Sequence, residues 1–351
     1  MSACFPQSLQ GVEHAVEQLI LKAGFPAKYD VRQLPGGANN RVYRVEVNGQ
    51  RALLKAYFHS KSDPRERLGT EFRFCRFAWN HGIRCLPEPL VCDVPHRLGL
   101  YEFVMGRTVM AHEIDADKVQ HALDFYQELN TLKHLPEAQG LPAGSEACFT
   151  IAEHLECVAR RLRTLAKIDD SSPLAQEAAD FIRGELSGTW RQAEKTVRQR
   201  AGEQGWPLDQ TLPDHEKCLS PSDFGFHNAL MTGDGGLRFI DFEYAGWDDP
   251  AKLVCDFFCQ PALPVPRDYY EMFTFAVAAN LADPERELQR FSLLMPVYQL
   301  KWCCILLNDF LPVGHKRRLF AQDGGDQEVI KRQQLDKARL SLQQLHERGD
   351  L

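Results

Sequence analysis

The sequence lacks the features that several protein classes depend on. Its eleven cysteines include no C-x-x-C pair, so no zinc-type ligand spacing is present. An odd number of unpatterned cysteines reads as free buried thiols in a reducing cytosol, and a cytoplasmic location is expected. No basic segment followed by an apolar run opens the chain, so no signal peptide is expected. The most apolar stretch, 295–313, is interrupted by Gln299, Lys301, Asn308 and Asp309 and reads as a buried helix rather than a membrane span. Basic charge is not in excess: 41 Lys and Arg stand against 48 Asp and Glu, a net charge of -7. That balance argues against a general nucleic-acid binder, but not against a phosphate held by local donors and a metal. There is no internal repeat, no low-complexity tract, and no G-x-G-x-x-G followed by a parallel βαβ unit, so a dinucleotide fold is not expected.

What is present divides in two. At 351 residues the chain exceeds the size at which single cores stop growing, roughly 250–300 residues, so two lobes are expected. Strand-forming alternation recurs at 29–31, 41–47, 52–57 and 98–104. Asn48-Gly49 supplies a hairpin turn between the second and third runs. Between the third and fourth, Leu68, Phe72, Cys75 and Trp79 recur at helical spacing. A small, mostly antiparallel sheet carrying one helix is therefore expected. Beyond residue 111 amphipathic helices dominate, at 115–132, 151–166, 174–199, 269–281, 285–311 (kinked or broken near Pro296) and 327–348. Strand-like sequence returns only around 218–241.

Polar residues with chemical potential fall at the joints of this pattern. The turn Leu34-Pro35-Gly36-Gly37-Ala38-Asn39-Asn40 lies between two strands. Paired glycines there admit phosphate oxygens to backbone N–H groups, which makes Gly36, Gly37, Asn39 and Asn40 nucleotide-binding candidates. Lys55 lies inside the apolar run Ala52-Leu53-Leu54-Lys55-Ala56 and needs a partner, for which Glu71 on the following helix is the candidate; such a pair holds phosphates in kinases. At Tyr101-Glu102-Phe103-Val104 the sheet gives way to helices, and the main chain of Glu102 and Val104 could pair with adenine. Asp223, Asn228 and Asp241 form the strongest group. Two short apolar runs, 229–231 and 237–240, meet at Gly233-Asp234-Gly235-Gly236, so a hairpin would set Asn228 beside Asp241 at its open end. Two such oxygen donors suit Mg²⁺, which keeps waters and takes its other ligands from phosphates. Asp223 would accept or orient the proton of a substrate hydroxyl.

Taken in order, these residues resemble the aminoglycoside phosphotransferase and choline kinase-like family, over roughly residues 30 to 260. The resemblance implies an α+β, protein kinase-like two-lobed fold. Residues 1–104 would be the nucleotide-binding lobe ending in the hinge, and 105–351 the helical lobe with the catalytic loop and acceptor site. It implies ATP as phosphate donor, Mg²⁺ as cofactor, Asp223 as the catalytic residue, Asn228 and Asp241 as metal ligands, and Lys55 as the phosphate-holding lysine. The expected activity is transfer of the γ-phosphate to a hydroxyl of a sugar, amino alcohol or aminoglycoside, with no nucleic-acid or membrane partner. Asp249-Pro250 and Asp256 resemble the structural acidic segment that follows the metal-binding Asp. Two departures stand out. Pro221 and Ser222 occupy positions where the family commonly has His and Gly or Asn, which leaves an inactive nucleotide- or partner-binding pseudokinase as the alternative. The metal segment reads Asp241-Phe242-Glu243, so Glu243 is either an added metal ligand or a supporting group. No H-R-D or A-P-E accompanies the loop, which separates the chain from protein kinases. His227 reads as a loop-packing residue. Glu243, Asp248 and Asp249 suit either a cationic acceptor or helix capping.

Overall fold

Alternation along three strands builds the first part of the molecule. The computed structural model describes residues 6–26, 28–35, 40–60, 63, 65–168, 171–311 and 326–349. Gly36, Gly37 and Asn39 lie outside the described residues. Helix α1 (Glu13–Lys22) precedes strands β1 (Asp30–Gln33), β2 (Arg41–Val47) and β3 (Gln50–Ala56). Helix α2 (Arg67–Asn80), β4 (Pro89–Asp93) and β5 (Leu98–Glu102) follow. The strands form one antiparallel sheet in the order β1-β2-β3-β5-β4. Asn48 (φ 49°) and Gly49 (φ 82°) make the two-residue turn that the sequence signals, with Val47 opposite Gln50.

The sheet has two working faces. Tyr43, Val45, Ala52, Leu54 and Leu100 pack with Val16, Leu19 and Ile20 of α1 in one apolar cluster. Residues of opposite parity, Leu53 and Tyr101, join Leu68, Phe72 and Cys75 of α2 in a second, larger cluster that continues through the helices. Lys55 shares their parity, so the period-two geometry turns it toward α2.

Among the described residues the remaining α-helices are α3 (Ala116–Thr131), α4 (Pro136–Gln139), α5 (Ile151–Leu165), α6 (Pro173–Phe181), α7 (Ser187–Glu203), α8 (Pro250–Cys259), α9 (Tyr270–Ala278), α10 (Pro284–Leu306) and a C-terminal helix Gln327–Arg348. Three expectations change. The helix expected at 174–199 is interrupted by a π-helical turn, Ile182–Leu186. Of the two alternatives at Pro296, the break does not occur: helix α10 runs on through it. Helix α1 and strand β4 add to the elements expected before residue 104. The stretch Pro284–Phe310 is long and apolar enough to cross a membrane, but 78% of its most apolar window is buried. It packs on α5, α8 and the C-terminal helix, as a core helix does. All ten described cysteines are free.

Short strands set the loops in place. β7 (Cys218–Ser220) pairs antiparallel with β10 (Gly246–Asp248), and β8 (Ala229–Thr232) forms a hairpin with β9 (Leu237–Phe239). β6 (Gly106–Thr108) docks on β8, so the segment leaving the sheet is fastened directly to that hairpin. A Cβ on Gly246 would lie 2.2 Å from the Pro142 carbonyl oxygen, so the backbones can meet there only without a side chain. Gly246→Ala is expected to cost roughly 2–3 kcal/mol of stability. A urea midpoint equal to that of the wild type would contradict this.

Candidate active site

Each element delivers one polar group to a common place. Lys55 Nζ, its side chain 7% exposed, lies 2.7 Å from Glu71 Oε2 on α2 and 2.5 Å from Asp241 Oδ1 just after β9. Burial alone would lower the Lys55 pKa, but Asp241, Glu71 and Glu243 outweigh it and hold the ammonium well above its ordinary value. Burial pushes the Glu71 carboxyl up to about 6 even though Lys55 opposes the shift. The Tyr57 hydroxyl donates to Glu71 Oε2 at 2.7 Å and lies 2.7 Å from the Tyr101 hydroxyl, which ties Glu71 to the sheet. Lys55 is therefore partnered as its place in an apolar strand requires.

The hairpin sets Asn228 and Asp241 at its open end, as the sequence spacing suggests. Ala229 pairs with Phe239, and the Ile240 N–H donates to the Asn228 carbonyl at 2.9 Å. Phe242 packs between Phe74 of α2 (ring centroids 5.2 Å) and Phe125 of α3 (6.0 Å), which anchors the segment carrying Asp241. Asp241 itself has φ 69°, a left-handed backbone that a residue with a Cβ seldom adopts. Asn228 Nδ2 donates to the Asp223 carbonyl at 2.9 Å, which leaves its Oδ1 as an acceptor facing no protein donor among the described residues. Among the described residues no cluster of three or more His, Cys, Asp or Glu side chains gathers as a metal cage. One Asn and one Asp oxygen fit the donor set of Mg²⁺, an ion that is completed by water and phosphate.

Asp223 sits at the edge of a cavity of about 350 Å³ that Tyr244, Trp302, Arg65 and Asp309 also line. Its side chain is 31% exposed, and Oδ1 lies 3.2 Å from His227 Nε2. Burial raises its pKa, but the hydrogen bond and charge of His227 prevail and hold the carboxyl below its ordinary value. His227 thus does more than pack the loop. A Cβ on Gly225 would fall 2.8 Å from its Nδ1, so the glycine makes room for the ring.

The departures at Pro221 and Ser222 acquire a local explanation. Ser222 takes a left-handed φ of 69°, and its N–H donates to Ser220 Oγ at 3.0 Å. Lys252 Nζ, on α8, donates to Ser222 Oγ at 3.2 Å and to Asp248 Oδ2 at 2.5 Å. Lys252 therefore braces the loop from outside it, a contact that spans thirty positions and leaves no local pattern in the sequence.

Other candidates are placed differently from expectation. Asn40 is buried, with Nδ2 donating to Glu243 Oε2 at 2.5 Å and Oδ1 accepting from the Phe58 N–H at 3.1 Å, so its side chain bridges segments instead of lying open in a loop. Glu243 holds Asn40 and lies 3.6 Å from Arg67 Nε, which makes it a supporting group rather than an offered metal ligand. The Glu102 N–H donates to the Glu88 carbonyl, whereas the Val104 main chain makes no such bond among the described residues. Asp249 caps α8 by accepting from the Ala251 N–H at 2.7 Å and pairs with Arg290.

Comparison with known proteins now decides the family. A family model described as phosphotransferase enzyme family matches residues 30–278. The chain belongs to this family. It is a phosphotransferase with the protein kinase-like fold that the sheet and helical region display. Three solved structures show the same fold at low identity. A choline/ethanolamine kinase family protein from Mesorhizobium loti is 17% identical with a TM-score of 0.58, covering 93% of this chain and 94% of its own. A choline kinase from Streptococcus pneumoniae is 14% identical (TM-score 0.56; coverage 95% and 99%). A spectinomycin phosphotransferase in complex with ADP and spectinomycin is 12% identical (TM-score 0.55; coverage 92% and 98%). No curated protein matches the sequence.

The Lys55 contacts carry a function-independent expectation. Lys55→Met leaves two facing carboxylates unpaired, at a cost of about 3 kcal/mol. The double variant Lys55→Met/Glu71→Gln recovers part of that loss in urea unfolding. Single variants as stable as the wild type would show the ion pairs to be unimportant.

Proposed function

We propose that this phosphotransferase moves the γ-phosphate of ATP to a hydroxyl of a small-molecule acceptor, with Asp223 as the residue that receives the hydroxyl. The observation that carries the reading is the placement of Asp223 on a cavity while its loop neighbour Asn228 sits at the hairpin end with Asp241, which pairs with Lys55. Acceptor and phosphate chemistry thereby meet at one loop. The structural neighbours support a small acceptor: they include choline and choline/ethanolamine kinases and a spectinomycin phosphotransferase. The bound ADP of the last supports ATP as donor.

In the proposed reaction the acceptor oxygen forms a bond to the γ-phosphorus as the bond from that phosphorus to the β–γ bridging oxygen breaks, and ADP leaves. The hydroxyl proton passes toward the Asp223 carboxylate. A carboxyl held below its usual range is a weak base, so Asp223 acts chiefly by orienting the hydroxyl, which suits a transition state with little bonding to the nucleophile. Lys55 releases Asp241 to pair with phosphate oxygens, while Glu71 keeps its position. Asn228 and Asp241 would hold Mg²⁺, which supplies charge neutralisation on the phosphates. Residues 1–104 then form the nucleotide side and 105–351 the acceptor side, in a cytoplasmic enzyme. The support that Lys252 gives Ser222 favours activity over an inactive nucleotide-binding module.

Asp223→Asn is expected to lower kcat at least about 100-fold with little change in nucleotide affinity, read by ADP release and equilibrium titration. Near-normal turnover would remove Asp223 from its role. A pH effect follows from His227. With a depressed pKa, the Asp223 carboxylate persists as pH falls and is lost only on passing through that low value. His227→Ala leaves burial opposed only by the Asn228 hydrogen bond and the Lys301 charge and so raises the value, and the acid limb of kcat/KM moves to higher pH. The ratio of rates at about pH 5 and about pH 8 should fall relative to wild type; an unchanged ratio would contradict the link.

A further inference from the structure

The cavity at Asp223 has a neighbour that shares two of its lining residues. Pro261 and Lys337 line the first and also line this second cavity of about 160 Å³, so the two adjoin there. Fixed charges in the first are largely matched inside the protein: Glu146 pairs with Arg161, and Asp256 with Lys301 at 2.8 Å and Lys252 at 3.5 Å. The second is one-sided. Arg267, Lys337 and Arg348 line it, no Asp or Glu does, and none of the three has an acidic partner among the described residues. Cys259 lines the same cavity: burial pushes its thiol up to about 12 and Asp256 adds to the shift, while Arg267, Arg348 and Lys301 oppose it.

Two buried polar atoms at this place have no partner. Arg267 Nη2 is shielded from solvent without an acceptor, and so is Gln299 Oε1 without a donor. Gln299 is 4% exposed and already donates through Nε2 to the Ser341 carbonyl at 2.9 Å. The Arg267 guanidinium lies over the Tyr270 ring at 5.4 Å, and a small turn of the side chain would bring its unpartnered nitrogen to a ligand oxygen, of which a charged one repays it best. The acids that a cationic acceptor would want are engaged elsewhere: Asp248 by Lys252, Asp249 by Arg290 and the α8 N-terminus, Glu243 by Asn40.

We propose that the acceptor is an elongated anionic alcohol, its hydroxyl at Asp223 and its carboxylate or phosphate seated among Arg267, Lys337 and Arg348. The inference rests on the phosphotransfer reading above for the hydroxyl end only. The cationic end stands on its own geometry, and recognition there selects among acceptors by charge and length rather than by chemistry at the reacting oxygen.

Two measurements separate the claims. In the first, inorganic phosphate is titrated calorimetrically into the wild type and into Arg267→Gln/Arg348→Gln, both saturated with Mg-ADP. Weakening of roughly tenfold or more in the double variant supports the site. Absence of binding by the wild type, or equal affinity in the two, overturns it whatever the enzyme turns over. In the second, ADP release is followed with ω-hydroxy acids, diols and amino alcohols of matched lengths. The expected order places the ω-hydroxy acids first in kcat/KM. The double variant should raise their KM about tenfold with kcat retained, while the amino alcohols improve. Preference for amino alcohols or diols, untouched by the double variant, refutes the anionic acceptor and leaves the kinase reading intact. Loss of all ADP release, with phosphate still bound through Arg267 and Arg348, refutes the kinase reading and retains the anion site.

Discussion

Lys55 is held between two carboxylates from distant parts of the chain, and the geometry of the whole site depends on that arrangement. Glu71 comes from α2 and Asp241 from the end of the β8–β9 hairpin, so one ammonium joins the sheet, its helix and the loop that carries the metal-type ligands. A charge taken out of water at this depth is tolerated only with such partners. Tyr57 and Tyr101 secure Glu71 on the sheet side, and the packing of Phe242 between Phe74 and Phe125 secures Asp241 on the other. The polar contact is therefore set by apolar packing on both sides of it.

Around this point the chain adopts backbone states that it would avoid elsewhere. Ser222 and Asp241 both have left-handed φ values, one on each side of the loop that presents Asp223 and Asn228. Strain of this kind persists only where the surroundings hold it, and here they do: Lys252 grips Ser222 from α8, and the hairpin ladder fixes Asp241. The loop gains a rigid frame without the histidine common in its family, because Lys252 and Asp248 brace it from another element.

Much of this was legible in the sequence, and the limits have physical reasons. The Asn48-Gly49 turn, the alternating strands and the amphipathic helices announce themselves because their signals are local and periodic. Asp223, Asn228 and Asp241 could be grouped because a short hairpin converts sequence spacing into proximity. Strand β4 escaped notice because it opens on a buried proline and is half-buried from there on, so it shows no clean alternation. The π-turn at Ile182–Leu186 keeps the same apolar face and so leaves no break in the helical pattern. Lys252 with Ser222, His227 with Asp223, and Asn40 with Glu243 depend on tertiary contacts or on ring orientation, which composition and periodicity do not encode. The one-sided charge of the second cavity is of the same kind, since Arg267, in the turn before α9, comes to line one cavity with Lys337 and Arg348 of the C-terminal helix only in the folded chain.

The central claim is that the Lys55–Glu71–Asp241 cluster and the Asp223 loop form one Mg-ATP-dependent phosphotransfer site. The most direct test follows the melting temperature with ATP plus Mg²⁺, with ATP plus chelator, and with Mg²⁺ alone, alongside release of ADP. The expected result is a rise of several degrees with ATP and Mg²⁺ together, corresponding to about 2.7 kcal/mol at a hundredfold excess over Kd, accompanied by slow ADP formation. A melting temperature that ignores Mg-ATP, with no ADP formed, would contradict it.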